Sequence, residues 1–441
     1  MRHLDYSRLS AGEIAARLRD NLLLPADVAR GVIEQHARLE PALEAWSWFQ
    51  PREVERAYRD GPASTDPRPR LLGVPVGVKD IIDVAGMPTG LGLPGAAAPA
   101  SRHAACVELL RAAGAVPVGK TVTAELAFSH PGPTRNPHAP GHTPGGSSSG
   151  SAAAVAAGMV PLALGTQTGG SVIRPAAYCG VVGIKTSLNA VPTAGVAPVA
   201  GSLDCLGWFT RSVADAILAA SVLLPWRDLA PLAPGHRLRI WMLDATELGS
   251  LAPEARQALD DASAAMREAG CAVVEAPLPG LLPALAECHR RIMLHELARS
   301  LLPILNARRH ELSAVMLAAI EAGQAITASH YQEARDRVRN ARATLAAHMR
   351  DVDLILTPSA AGAAPAGLHH TGESTFNRIW SVLGWPAIHL PTAWSARGLP
   401  VGVQLVGSPG EDEALLRRAE AIHPVIDRRG PVPRGQAPMA Q

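Results

Sequence analysis

The sequence predicts an α/β fold on three observations. Short, almost wholly apolar runs such as GVPVGV and LILTP have the pattern of strands buried on both faces. Between them lie longer runs with apolar residues at helical spacing, which gives the alternation of an α/β chain. A chain of 441 residues with 47% hydrophobic residues is long enough for one large domain or for two or three smaller ones.

Taken in order, Ser10 followed by Glu13 reads as a capping box, and Ile14, Leu18, Val28, Val32 and Ile33 are spaced for two or three helices up to about Asp60. The Gly/Pro-rich connector GPASTDPRPR leads to a strand, Val74 to Val78, with Lys79 at its end. A helix over 104–113, a strand over 116–118 and a helix over 123–128 continue the rhythm. Ser151 to Met159 is Ala-rich without a polar stripe, the pattern of a helix buried on nearly all sides. An amphipathic helix lies between Leu251 and Gly270 with Pro253 in its first turn, followed by a strand over 271–274. The region 285–350 is rich in helical pattern. Strands return at Leu354 to Pro358, in GWPAIHLPTA and in LPVGVQLVG, and a last helix runs from Glu411 to His423. The expected organisation is an N-terminal helical region (1–60), a catalytic region (61–427) and a loosely held tail (428–441) rich in Pro, Gly and Gln.

The formal net charge is +2 with both signs mixed, so no nucleic-acid partner is expected. Five widely spaced cysteines without a Cys-x-x-Cys pair speak against a disulfide framework or a zinc ribbon and fit a reducing cytoplasmic setting. The N-terminal stretch lacks the apolar core of a signal peptide, and no run reaches the roughly 18 apolar residues of a membrane span. The 16 histidines make no H-E-x-x-H pattern, so neither metal nor cofactor is expected. Only three of the 41 basic residues are lysines, Lys79, Lys120 and Lys185, which matters because an amine can lose its proton where arginine cannot.

The informative stretch is GHTPGGSSSGSAAAVAAGMVPLALGTQTGGSVIR, residues 141–174, with two nearly side-chain-free loops joined by an apolar segment. Ser171 stands behind Gly169 and Gly170, where consecutive N–H groups can converge on a developing oxyanion. By itself GTQTGGS reads equally as a tight structural turn, and Lys79 as a buried structural ammonium. There is no phosphate-binding G-x-x-x-x-G-K-[ST] and no G-x-G-x-x-G fingerprint.

The composite is more specific. GVPVGVKDIIDV, GGSSSGS and GTQTGGSVIRPAAYCGVVGIK, followed by TAELAFSHPGPTRNP, GSLDCLGWFTRS and GLPVGVQLVG in other parts of the chain, resemble the amidase signature family over about residues 10–425. That resemblance implies a single large α/β domain with a central mixed sheet covered by helices on both sides. It implies an amide hydrolase with a Ser-Ser-Lys triad: Ser171 as nucleophile, Ser147 as the bridging serine held in a cis peptide, and Lys79 as base. Thr168, Gly169, Gly170 and Ser171 would supply the oxyanion loop, and Gly145 and Gly146 would make room for the turn at Ser147. Chemistry alone leaves the relay open among Ser147, Ser148 and Ser149; the family's spacing selects Ser147. A serine needs a base to accept its proton, and lysine serves only when neutral, so Asp80 and Asp83 are expected to point elsewhere. Lys120 and Lys185 are assigned structural roles.

Many members of the family read GTDTGGSIR, whereas this chain reads GTQTGGSVIRP, with Gln167 for the acid and Arg174 three positions beyond Ser171. The variant resembles the malonamidase and carboxybiuret hydrolase-like branch, which implies that Arg174 holds a substrate carboxylate through its planar fork. The alternative for Arg174 is a salt bridge or a backbone clamp that shapes the loop. Gln167 reads as a loop organiser and Cys179 as a packed thiol. Further candidate substrate contacts are Phe128, Tyr178, Asn377 and Trp380, with Ser129, His130 and Asn136 as other pocket walls; the aromatics read equally as core. The function this implies is cleavage of a small, anionic amide or urea-like compound through an acyl-enzyme, with a homodimer expected from relatives alone. Two alternatives stay open: the glutaminase subunit of an aminoacyl-tRNA amidotransferase, against which the shifted arginine speaks, and a binding or assembly protein that has lost its chemistry.

Overall fold

A computed structural model describes residues 5–61, 64, 66–232, 237–276, 278 and 280–430. The tail from position 431 and parts of the connector after Gly61 lie outside the described residues. The strands are β1 (Trp46–Phe49), β2 (Pro75–Lys79), β3 (Val116–Thr121), β4 (Leu162–Gln167), β5 (Val182–Lys185), β6 (Cys205–Thr210), β7 (Arg239–Met242), β8 (Ala272–Glu275), β9 (Leu354–Pro358), β10 (Ala387–Trp394) and β11 (Pro400–Val406). They form one sheet in the order β1-β3-β2-β4-β6-β5-β10-β11-β9-β7-β8. The sheet is mixed: β2 runs parallel to β3 and β4, and β7 parallel to β8 and β9, while the central pairs are antiparallel.

Period-two alternation sends successive side chains to opposite faces, and the core divides accordingly. Leu354 and Leu356 enter one apolar cluster and Ile355 the other, and Ile240 and Trp241 part in the same way. Helices cover both faces, which is why these strands read as continuous apolar runs.

The helix Ala11–Arg19 begins on the expected capping box: Glu13 N donates to Ser10 Oγ at 3.0 Å and Ser10 N to Glu13 Oε2 at 2.8 Å. Pro253 opens the helix Pro253–Glu268. The Ala-rich helix spans Ser149–Ala156 and is buried on every side, between the two loops that matter for chemistry.

Two readings need correction. The N-terminal region contains a strand, β1, which pairs antiparallel with β3 and so joins the region to the sheet. The segment 123–128 is not a helix but a single 3-10 turn, Glu125–Ala127, with Leu126 and Ala127 at positive φ. Its backbone amides find distant partners instead of helical ones: Glu125 N donates to His130 O and Leu126 N to Leu91 O. The short helix Arg378–Leu383 and strands β5, β6 and β7 had no separate sequence signal. No helix among the described residues is long and apolar enough to cross a membrane.

Candidate active site

Lys79 is the last residue of β2, flanked by β3 and β4, and its side chain is fully buried. Nζ donates to Ser147 Oγ at 2.8 Å and to Thr166 Oγ1 at 2.8 Å. Burial pushes its pKa down to about 7, with Arg174 acting in the same direction and Asp204 opposing. The adjacent Asp80 turns away and pairs with Lys120 at 3.0 Å, while Asp83 accepts from Thr89. Lys185, also buried, donates to Trp385 O. Of the three lysines, only Lys79 has a serine hydroxyl within reach of its amine.

The peptide bond between Gly146 and Ser147 is cis, and Gly145 has φ +83°. Neither glycine tolerates a side chain: a Cβ would stand 2.8 Å from Pro175 Cα at Gly145 and 2.6 Å from Thr371 Cγ2 at Gly146. The three serines separate in role. Ser147 meets Lys79, Ser148 Oγ brackets the backbone of Thr166, and Ser149 Oγ points to Val122 O.

The second loop leaves β4 and carries Ser171, which is 7% exposed. Three of its carbonyls have fixed donors. His289 Nε2 meets Thr168 O at 2.9 Å, Ser381 Oγ donates to Gly169 O at 2.7 Å, and Arg174 N donates to Gly170 O at 3.0 Å. A carbonyl can only accept, so Nε2 carries the proton, and burial lowers the His289 pKa to about 4, which keeps the ring neutral. Gln167 Oε1 accepts from Val172 N and Ile173 N while Nε2 donates to Ser381 Oγ, so this residue organises the turn. The amides of Gly169, Gly170 and Ser171 have no protein acceptor among the described hydrogen bonds, which leaves donors for an oxyanion. A Cβ on Gly170 would stand 2.7 Å from both Asn377 Oδ1 and Ser374 Cβ.

Arg174 does not present its fork to open space. Nε and Nη2 donate to Gly146 O at 3.1 and 2.6 Å, and Nη1 donates to Gly372 O. Of the two readings of Arg174, these contacts are those of the clamp: the guanidinium ties the first loop and the 372 turn to the helix Ile173–Cys179. Replacing Arg174 by Met is accordingly expected to lower Tm, and to reduce kcat/KM about tenfold or more for anionic and neutral amides alike. A loss confined to anionic substrates, read from parallel kinetics, would restore the carboxylate role.

The other candidates take the following positions. Tyr178 lies buried against Gly145 and Gly372. Trp380 is buried and stacked on Trp385, and Phe128 packs against the larger core. Asn377 Nδ2 donates to Ser359 O, and Asn136 Nδ2 to Thr143 O and Tyr178 O. Ser129 and His130 are exposed. Cys179 is fully buried, and burial raises its thiol pKa, so no thiolate forms there. Among the described residues, no three His, Cys, Asp or Glu side chains cluster as a metal site. Sequence reasoning missed Thr166, Asp204, His289 and Ser381. Asp204 lay inside the GSLDCLGWFTRS motif and Thr166 inside GTQTGGS, both without a role, and His289 and Ser381 carried no local signal.

The model of the family described as Amidase matches residues 27–416. The chain belongs to the amidase signature family. It is 31% identical to a 2-amino-5-chloromuconic acid deaminase of Comamonas testosteroni, over 96% of this chain and 97% of that one. It is 34% identical to a glutamyl-tRNA(Gln) amidotransferase subunit of Thermus thermophilus, over 95% of this chain and 97% of that one. Among solved structures it superposes on a 6-aminohexanoate cyclic dimer hydrolase with a TM-score of 0.85 at 25% identity, covering 97% of this chain and all of that one. This amidase is therefore an amide hydrolase, and the family's Ser-Ser-Lys chemistry is the frame for its site.

Proposed function

We propose that this amidase cleaves the C–N bond of a small amide or urea-like compound through an acyl-enzyme on Ser171. The observation that carries the reading is the 2.8 Å contact between Lys79 Nζ and Ser147 Oγ, beside a loop whose free amides surround Ser171. Ser171 Oγ attacks the substrate carbonyl and its proton moves to Ser147 Oγ as the Ser147 proton moves to neutral Lys79. The tetrahedral oxyanion is stabilised by the amides of the 169–171 loop, each worth about 2.7 to 4 kcal/mol in comparable sites. Collapse breaks the C–N bond, the amine leaves with the proton returned from Lys79 through Ser147, and water then cleaves the ester by the same relay.

The substrate is a small carboxylate-bearing amide. The acid named in the Comamonas relative supports this, and a cation suited to it is Arg378, whose Nε donates to Ser374 Oγ beside Gly170 and whose Nη2 lies 3.8 Å from the exposed Glu373 carboxylate, a pair that a substrate carboxylate would replace. Five free cysteines support a reducing, cytoplasmic setting. No cofactor takes part, and a homodimer is the expected assembly.

A second reading, the glutaminase subunit of an aminoacyl-tRNA amidotransferase, is favoured by the similarity to the Thermus protein. Ammonia release measured over malonamate, carboxybiuret, biuret, aliphatic and aromatic amides, hydrazides and glutamine separates the two. Turnover of small carboxylated amides is expected. Release from glutamine alone, with co-purification of a tRNA-binding partner, would establish the second reading, and silence across the panel from folded protein would sink both.

A further inference from the structure

We infer that Asp204 is a positioning residue of the active site, which ties down the oxyanion loop through Thr168 and supplies the negative charge that tunes Lys79 as a base. The inference rests on the reading of Lys79 as the proton acceptor.

Sheet register brings the parts together. β4 and β6 run antiparallel with Gln167 opposite Cys205, so one step further Thr168 stands opposite Asp204. Thr168 Oγ1 donates to Asp204 Oδ1 at 2.5 Å, and Oδ2 accepts from Val199 N at 2.8 Å and Ala200 N at 3.0 Å. Thr168 is thus gripped at both ends, by Asp204 on its hydroxyl and by His289 on its carbonyl. Thr166, two residues earlier and so on the same face, takes Lys79 Nζ on its own hydroxyl. Lys79 and Asp204 hang on alternate threonines, whose Cα atoms are on the order of 7 Å apart by strand rise. Thr166 and Asp204 also line a common cavity of about 70 Å³ with Ile81 and Cys205.

The three donors to Asp204 are all neutral, and a buried carboxylate held only by neutral donors is costly to keep. Such groups gather where a reaction uses their field. Asp204 favours the protonated form of Lys79 against burial and against Arg174, while Glu296, on the helix Leu281–Ser300, acts on Asp204 as a like charge and is itself held by Ser202 and Tyr331. The carboxylate thereby keeps Lys79 basic enough to take the Ser171 proton and to hold it until the amine leaves.

The test is the rate at which an alkyl fluorophosphonate labels Ser171, measured against pH. In that step the Oγ–P bond forms, P–F breaks with loss of fluoride, and the hydroxyl proton passes through Ser147 to Lys79. Asp204→Asn preserves the contacts, since its oxygen can stay on the Val199 and Ala200 amides while its NH₂ donates to Thr168 Oγ1. The acid limb of labelling is expected to move down by about one pH unit, because Lys79 loses its proton more readily without the neighbouring charge. A lower plateau with the limb in place would mean a merely structural role and would overturn the coupling. Thr168→Val keeps the charge and removes the tie, so its plateau rate should fall about tenfold. An unchanged plateau would overturn the positioning role, whether or not Asp204→Asn folds. Lys79→Met separates the underlying reading: labelling near the wild-type rate there would overturn Lys79 as base, whereas a dead Lys79→Met with an unmoved Asp204→Asn limb overturns the coupling alone.

Discussion

Ser171→Ala is expected to lower kcat by about 10³-fold or more while the protein stays folded, because it removes the atom that forms the acyl bond and leaves only the oxyanion donors and substrate binding. The site predicts little structural cost. Ser171 is nearly buried, and its hydroxyl is not engaged in any described hydrogen bond, so a melting curve should match that of the wild type. Activity near the wild-type level in a preparation free of other amidases would remove Ser171 from the mechanism. Loss of activity together with a collapsed melting transition would instead say that the residue was needed for the loop.

Lys79→Met is the second large effect, a loss of about 10² to 10⁴-fold in kcat, the range of a positioned general base. Its signature is the pH dependence of the wild type. Burial takes Lys79 from the ordinary 10.5 down to about 7, so the amine is protonated and useless below that pH and neutral above it. The wild-type kcat/KM should therefore rise with pH through about 7 to a plateau, and the residual rate of Lys79→Met should lack that limb. The same shift gives stability the opposite sign to the usual lysine ion pair. Between about 7 and 10.5 the unfolded chain holds a proton that the folded chain does not, so this group's contribution to stability improves as pH rises. Below about 7 the folded state carries a buried ammonium at its full cost, and Lys79→Met is expected to melt no lower than the wild type at pH 6. A clear fall in Tm there would mean that the contacts to Ser147 and Thr166 outweigh desolvation.

Much of this was legible before any coordinates. The pattern of apolar runs showed strands buried on both faces, and Pro253 and the Ser10–Glu13 box marked helix starts because those signals act within one turn of chain. The 123–128 segment failed for the converse reason. Its residues suit a helix, but Leu91 and His130 capture its amides and Ser313 holds the Glu125 carboxylate, so partners distant in sequence override local preference. Strands β5 and β6 escaped notice although turn residues flank both, since their pairing is with strands distant in sequence; β6 is the strand that sets Asp204 opposite Thr168 and β5 is its neighbour in the sheet.

What the sequence by itself determined was the chemistry's inventory: a lysine at a strand end and two glycine-framed serines at family spacing. Reaction chemistry demands particular residue types at particular intervals, and those are written along the chain. The tertiary structure alone showed Arg174 clamped on Gly146 O and brought Asp204, His289 and Ser381 to the oxyanion loop. Ser381 lies 212 residues from the Gly169 carbonyl it holds. Sheet register and helix packing bring such groups together, and the loss of water around them sets whether an amine near neutral pH is a cation or a base.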